Sequence, residues 1–267
     1  MENLAIYCLS LSNSHYKKII DMDYIPVGLG RDKFSDGWLL DKIGENISNK
    51  NEFYGEYTFH YCLWKNQAIL ENHDKWIGFC TYRRFWSQNN KKNVHFNLNK
   101  DILKKIPQEW DRYDAVLVEP IFTNKTKLSK ILKHGKQILI KKPFLFFNKK
   151  NITVKVHFDM YHGYGNLDKA IDLLQIEYRE KFREYVNNEI MFNPYNMFIC
   201  KSKKTLLNYY TIVFPWLKKC ENIFEFKMGD SYGKKRIYGF LAERFLSYWF
   251  NNYANPINWP VYFKDIS

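Results

Sequence analysis

The strongest constraint on the fold of this chain is an alternation of two apolar patterns. Short runs of strand length occur at residues 4–11 (LAIYCLSL), 76–80 (WIGFC), 115–118 (AVLV) and 197–200 (MFIC). Each is apolar nearly throughout, as expected of a strand buried on both faces. Between them lie longer stretches whose apolar residues recur every three or four positions, the period of a helix with one buried face. Phe53, Tyr57, Tyr61 and Trp64 form one such series, opened by a capping-box pattern at Asn49 and Glu52 and ending near Asn66. Leu167, Ile171, Leu174, Tyr178 and Phe182 form another, predicting one helix of about 20 residues. Residues 203–224, with a kink at Pro215, and 237–253, with Ile237, Leu241, Phe245 and Trp249 on one face, give two more. Residues 137–147 (QILIKKPFLFF) read as an edge strand or loop because of Pro143, and Pro26 and Gly28 open a loop reaching toward Gly44. Strands alternating with helices predict an α/β fold, a mixed and mainly parallel sheet flanked by helices.

With 267 residues and no internal repeat or low-complexity linker, the chain is read as a single domain with a full core. It is 46% hydrophobic, yet its mean hydropathy is -0.49, so apolar and charged residues are interleaved. No apolar stretch approaches the roughly 18–20 residues of a bilayer span. The opening MENLAIYCLSLSNSHYKK lacks a positive segment before its apolar run, so no signal peptide is assigned and a cytoplasmic location is expected. Cys8, Cys62, Cys80, Cys200 and Cys220 are scattered singly, which argues against a disulfide framework or a zinc site and for a reducing compartment. The net charge of +13 favours a polyanionic partner: nucleic acid, an anionic membrane surface or a phosphorylated substrate. The lysines recur in pairs such as Lys104-Lys105 and Lys218-Lys219, which places the charge on the folded surface rather than on a tail. Most aromatic residues fall at helical core positions instead of interleaving with a basic stripe, so nucleic acid is not the expected partner.

Arg83 and Arg84 stand just beyond the 76–80 strand. Ligands of open α/β sheets bind at strand ends, and a guanidinium fork matches phosphate oxygens. The competing reading pairs both arginines with carboxylates at a sheet edge. The literal Asp-x-Asp, Asp21-Met22-Asp23, precedes a loop and reads as a turn, while Asp111 and Asp114 flank a strand as weaker metal ligands. Arg236 and Glu243 lie two turns apart on one helix face, and Glu243 is either a catalytic carboxylate or half of an ion pair with Arg236 or Arg244. Glu189 and Asp230 are the other candidate carboxylates. His157 and His162, with Asp159 between them, are candidates to touch an acceptor or a phosphate, against the plainer reading of surface histidines.

Taken in order, several segments are familiar: Asn46-Ile-Ser-Asn-Lys-Asn51, Tyr54-Gly-Glu-Tyr-Thr58, Trp64-Lys-Asn66 and Trp76-Ile-Gly-Phe-Cys-Thr-Tyr-Arg-Arg-Phe85. Asn196-Met-Phe-Ile199, Tyr209 to Leu217 and Gly239-Phe-Leu-Ala-Glu-Arg-Phe245 follow, and Pro26 and Gly28 fit the opening. Together they resemble a bacterial family of capsule and exopolysaccharide glycosyltransferases long catalogued as a domain of unknown function. Thr81 stands where that family commonly has histidine, and Ser12-Asn-Ser-His15 stands where it has His-Lys.

The resemblance implies a GT-A-like nucleotide-sugar fold, with residues 1–125 as the nucleotide-sugar-binding half and 126–267 as the acceptor-binding, catalytic half. It implies transfer of a hexose, galactofuranose being one option, from a UDP-sugar to a capsular polysaccharide, exopolysaccharide or O-antigen acceptor. The donor-binding residues are then Pro26, Gly28, Asn46, Lys50, Asn51, Tyr82, Arg83, Arg84, Asn196 and Arg236, and the catalytic residues Glu243, Arg244 and His162. Where most GT-A enzymes carry a metal-binding Asp-x-Asp, this chain has Tyr82-Arg83-Arg84, so the arginines are expected to neutralise the leaving diphosphate. No metal ligand and no resident cofactor are assigned, manganese or magnesium being the less favoured alternative. The expected partners are the nucleotide-sugar donor, a carbohydrate or lipid-linked glycan acceptor and the anionic inner face of the cell membrane. The rival readings are a nucleic-acid-binding protein and a non-catalytic partner that binds glycan or polyprenyl phosphate.

Overall fold

The computed structural model describes residues 4–70, 76–91, 95–141, 143, 151–229 and 231–267. They gather into two compact units, Met1–Glu119 with Tyr195–Thr211 and Phe250–Ser267, and Pro120–Pro194 with Ile212–Trp249. The first unit holds β1 (Leu4–Ser10), α1 (Tyr16–Asp21), β2 (Ile25–Gly28), β3 (Leu39–Leu40), α2 (Asn51–Tyr54), α3 (Tyr57–Lys65), β4 (Trp76–Thr81), β5 (Arg84–Trp86), α4 (Leu98–Asp101) and β6 (Ala115–Val118). The second begins with β7 (Ile121–Phe122), α5 (Leu128–His134), α6 (Lys136–Lys141), α7 (Val154–His162), α8 (Asn166–Asp172), α9 (Ile176–Asn188) and β8 (Met191–Phe192). The chain returns to the first unit for β9 (Phe198–Cys200) and the start of α10 (Lys203–Phe224). The rest of α10, α11 (Tyr232–Lys235) and most of α12 (Ile237–Tyr253) belong to the second unit, and β10 (Pro256–Trp259) and β11 (Val261–Phe263) to the first.

The first unit is built on one sheet with the order β10-β6-β9-β4-β1-β2-β3, to which β5 and β11 attach beside β4. Pairing is parallel for β1 with β2 and β4, for β2 with β3 and for β6 with β10. It is antiparallel where β9 lies between β4 and β6, and in the β5–β11 ribbon. This is the mixed, mainly parallel sheet flanked by helices, in a GT-A-like arrangement. β1 is buried along all seven residues, because both faces of the sheet are covered. Leu4, Ile6 and Cys8 point to one face with Ile19 of α1, Trp86, Trp110 and Trp259. On the other face Tyr7 and Phe79 meet Phe59 and His60 of α3. Two of these buried indoles are hydrogen-bonded: Trp86 donates to the Phe79 carbonyl (2.9 Å) and Trp259 to the Ser87 carbonyl (2.8 Å). Gly78 is required by packing, since a Cβ there would lie 2.5 Å from the Ile6 Cδ1 and 2.8 Å from the Ile199 Cγ1.

Several expected boundaries shift, each for a local reason. Pro26 and Gly28 do not open a loop but lie in β2; β3 pairs only with Val27 and Gly28, so Pro26 sits where the strand has one neighbour. The helix expected from Asn49 to Asn66 is two, α2 and α3, parted at Gly55 with φ of 59°. Asn49 is not its cap, because a 3-10 turn at Ser48–Lys50 precedes α2. The single helix expected through residues 167–182 is also two. The Leu174 carbonyl, which a continuous helix would bond internally, instead accepts from Arg179 Nε (3.3 Å) and Nη2 (3.0 Å). Residues 136–141 are helical rather than an edge strand; residues 142 and 144–147 of that stretch lie outside the described residues. Pro215 lies inside α10 without ending it. The second unit packs α5, α6 and α7 around a small core of Ile131, Ile138, Ile152, Val156 and Met160. A larger aromatic group of Phe182, Trp216, Phe245 and Tyr248 joins α9, α10 and α12.

Candidate functional site

The strand order of the first unit reverses at β1. From β1 the chain adds β2 and β3 on one side, then returns to place β4 on the other. In open α/β sheets such a switch point leaves a crevice outside the carboxyl ends of the two central strands, where ligands bind. Here those ends are Ser10, leading to Ser12 and His15, and Thr81, leading to Tyr82 and Arg83.

The side chains at this point hold one another. Ser10 Oγ lies 2.8 Å from His15 Nδ1 and accepts from the Ser12 N–H (3.1 Å). The His15 ring stacks on Tyr82, with centroids 4.8 Å apart. Burial, aided by Lys18 and Arg83, lowers the His15 pKa, against an opposing pull from Asp265, so the ring is neutral near pH 7. The Arg83 guanidinium lies 4.7 Å over the Tyr82 ring, and its Nε donates to Asp265 Oδ2 at 2.8 Å. Arg84 pairs with Thr81 as the first residue of β5 and lies 3.9 Å over the Tyr195 ring. Tyr195 and Asn196, with φ of 76° and 54°, form a left-handed turn that leads into β9. Because β9 runs antiparallel to β4, this turn sits at the same edge of the sheet as Arg84.

Beside the crevice the loop after β2 is fixed by a buried carboxylate. Asp41, 1% exposed, accepts from the Gly30 N–H, from Ser48 Oγ (2.5 Å) and from Thr58 Oγ1 (2.6 Å). Burial raises its pKa, while these donors and Lys42 pull it back. Asn51 donates to the Gly55 carbonyl (3.0 Å) and to Thr58 Oγ1 (3.1 Å). Asn46 donates to the carbonyls of Lys42 and Gly44. Asn66 ties Ile43 and Glu45 to the end of α3. The polar motif residues between 46 and 66 thus shape the strand-end loop, whatever else they touch. Pro26 is buried within β2, and the Phe34 ring packs directly against Gly28.

The second unit contains a different cluster. On α12, Arg244 is 1% exposed and its Nη1 donates to Glu243 Oε2. Its Nη2 lies 3.3 Å from His157 Nδ1 on α7, and its guanidinium lies 3.6 Å over the Phe192 ring. Burial, reinforced by Arg244, lowers the His157 pKa to about 3. His162 is lowered well below its ordinary value for the same two reasons, and its Nδ1 lies 2.7 Å from the Gly233 carbonyl while its ring stacks on Phe240. Asp159 is bound by Lys155 (2.9 Å) and the Gly165 N–H. Arg236, expected to share a cleft with Glu243, donates to the Tyr232 hydroxyl (2.8 Å). Glu189 is exposed at the end of α9, and Asp230 lies outside the described residues.

Of the candidate residues, Tyr82, Arg83, Arg84 and Asn196 come together at the carboxyl edge of the first unit's sheet, with Pro26, Gly28, Asn46, Lys50 and Asn51 on the β2 side of the same unit. Glu243, Arg244, His162 and Arg236 belong to the second unit. Asp21 and Asp23 close α1, and Asp111 and Asp114 precede β6, so all four stand at the amino edge of the parallel strands, opposite Arg83. Ser10, Tyr195, Asp41 and Asp265 were not read from the sequence. Their partners lie from 2 to 182 positions away, and no local pattern marks them.

The fold, with its switch point at β1, defines an α/β protein of the GT-A-like class. More narrowly, a family model described as a domain of unknown function (DUF4422) matches residues 9–255, and the chain belongs to that family. Among solved structures it is similar to WbbM, a bifunctional glycosyltransferase in its apo form, with a TM-score of 0.68 and 19% identity. That likeness covers 98% of this chain and 45% of the WbbM chain, so this chain spans less than half of its relative. No curated protein matches significantly. GT-A folds commonly hold a divalent metal on acidic side chains. Among the described residues no three His, Cys, Asp or Glu side chains gather to hold one, and Asp265, the carboxylate beside Arg83, is taken by that arginine.

Proposed function

We propose that this chain is a glycosyltransferase that takes a hexosyl group from a UDP-sugar and passes it to a carbohydrate or lipid-linked glycan acceptor of a capsule, exopolysaccharide or O-antigen. The observation that carries this reading is the placement of Tyr82, Arg83 and Arg84 at the switch point of a GT-A-like sheet. Diphosphate oxygens need multidentate positive donors there, and two stacked guanidinium groups supply them without a metal. The donor is assigned to the first unit, which holds these residues. Membership of the family and the likeness to WbbM support the class of reaction. The work is proposed to take place in the cytoplasm, at the anionic inner face of the cell membrane.

Transfer with inversion needs a carboxylate to accept the proton of the acceptor hydroxyl. Glu243 is assigned that role. Its carboxylate accepts from Arg244 Nη1, and the neutral His157 ring lies 3.3 Å from Arg244 Nη2.

Incubation with a panel of nucleotide sugars tests the reading. UDP-hexoses should raise the melting temperature and yield a transferred sugar, with activity largely retained in a chelator. Glu243→Gln should cut turnover by about 10²-fold or more while leaving donor affinity within a factor of two. Stabilisation by no nucleotide sugar, or transfer that chelation abolishes and manganese restores, overturns it.

A further inference from the structure

Charge along the sequence is far less even than its paired lysines suggest. Between Pro120 and Phe158 there are ten lysines and no aspartate or glutamate, against a net charge of +13 for the whole chain. The stretch opens the second unit, where α5 and α6 turn Ile131 and Ile138 inward against Ile152, Val156 and Met160 of the small core. The opposite sides of the same helices are unusual. Leu132 is 47% exposed and Ile140 82% exposed. Lys127, Lys130, Lys133 and Lys141 are exposed around them. Just upstream, Ile121 and Phe122 of β7 are exposed too, and Lys125 lies 4.5 Å over the Phe122 ring. Among the described residues none of these five lysines has an acidic partner. Lys155, the last of the ten, differs, being bound to Asp159 (2.9 Å) and Asp168 (2.8 Å).

We propose that residues 121–141 form a docking surface for an anionic lipid bilayer, with Leu132 and Ile140 entering the headgroup region and Lys125, Lys127, Lys130, Lys133 and Lys141 binding lipid phosphates. This rests on the membrane part of the proposed function and not on its chemistry. Two observations choose the occupant. Lysines with no acidic partner among the described residues match a dense negative surface by charge. Exposed aliphatic side chains between them gain by leaving water for the acyl boundary, and a nucleic-acid backbone offers them nothing. Lysine ammonium groups snorkel readily, so their stems can lie beside Leu132 and Ile140 while the charges reach phosphate.

Sedimentation with vesicles tests the proposal. The protein should bind vesicles of phosphatidylcholine with 30% phosphatidylglycerol, bind pure phosphatidylcholine weakly, and lose affinity as salt rises. Each lysine near the surface is worth about a factor of five in partitioning. Replacing Lys127, Lys130, Lys133 and Lys141 with Gln should therefore weaken binding at least a hundredfold. The same change at Lys181, Lys204, Lys219 and Lys234, exposed lysines outside the run, should alter it less than tenfold. Leu132→Ser with Ile140→Ser should weaken binding severalfold without changing its salt dependence. Arg83→Ala should bind vesicles like the parent, so a failed donor assignment is distinguishable from a failed membrane one. The proposal is overturned by equal losses in the two lysine variants, or by no binding to anionic vesicles at low salt. It is also overturned if a short DNA duplex binds the parent more tightly than vesicles do and the first variant loses it.

Discussion

In the first unit Arg83 keeps 47% of its side chain in solvent, with Asp265 at 2.8 Å as its acidic partner. In the second unit Arg244 keeps 2% of its side chain in solvent, between Glu243, His157 and the face of Phe192. The Arg83 pair, being wet, contributes about 0–1 kcal/mol to stability, so its guanidinium is available to a ligand at little cost to the fold. The Arg244 group has left water, and its neighbours are required to compensate it. One arginine is positioned for recognition while the other is built into the core. A phosphate-binding role follows from the first environment far more readily than from the second.

The largest expected effect tests the buried side of this contrast. Arg244→Ala strands Glu243 without its cation and should cost about 3–5 kcal/mol in denaturant unfolding. A cost under 1 kcal/mol would place Arg244 with Arg83 as a dispensable surface group and dissolve the distinction. Next comes the scaffold of the crevice. Asp41→Ala leaves the donors of Gly30, Ser48 and Thr58 unmatched and should cost about 2–4 kcal/mol, while Arg83 keeps its contact with Asp265. If stability holds and only ligand binding falls, Asp41 belongs to the site itself.

A smaller effect is graded by pH. His60, buried against Phe79 and Phe198, and His157 are each lowered to about 3 by burial, and His162 is lowered from the same ordinary value of 6.5. Above that ordinary value the rings are neutral in folded and unfolded chains alike. Below it the unfolded chain takes up protons that the folded chain refuses, so stability falls as pH drops from about 6.5 toward 3. His60 and His157 each add a slope of about 1.4 kcal/mol per pH unit in that window. Replacing His60 with Gln should remove one proton from the slope measured between pH 6 and 5. An unchanged slope would show that His60 is not buried neutral.

The contrast also explains what the sequence made legible. The four strands at 4–11, 76–80, 115–118 and 197–200 were readable because strands buried on both faces are apolar runs, and all four form within a residue of their expected bounds. Arg83 and Arg84 were readable because they follow such a run directly. The breaks at Gly55 and Leu174 were not, since helical spacing continues across both and the interruption is made by a backbone φ and by the Arg179 side chain. Arg236 and Glu243 share a helical spacing, but the Arg236 guanidinium bonds Tyr232 and Glu243 bonds its neighbour Arg244. Spacing reports which face a residue is on and not which partner it finds. Asp265 and Tyr195 approach the arginines only through β11 and the turn before β9, so no motif near residue 83 names them.

The central claim is that Arg83 at the switch point holds a donor diphosphate, and calorimetric titration of a UDP-hexose into the parent and Arg83→Ala proteins addresses it directly. The account predicts a loss of about 1.5–3 kcal/mol in donor binding, roughly one to two decades in Kd, with unfolding stability changed by less than 1 kcal/mol. Lys at position 83 should restore only part of the affinity, because an ammonium does not reproduce the bidentate fork. Donor binding of equal strength in the parent and Arg83→Ala proteins would contradict it.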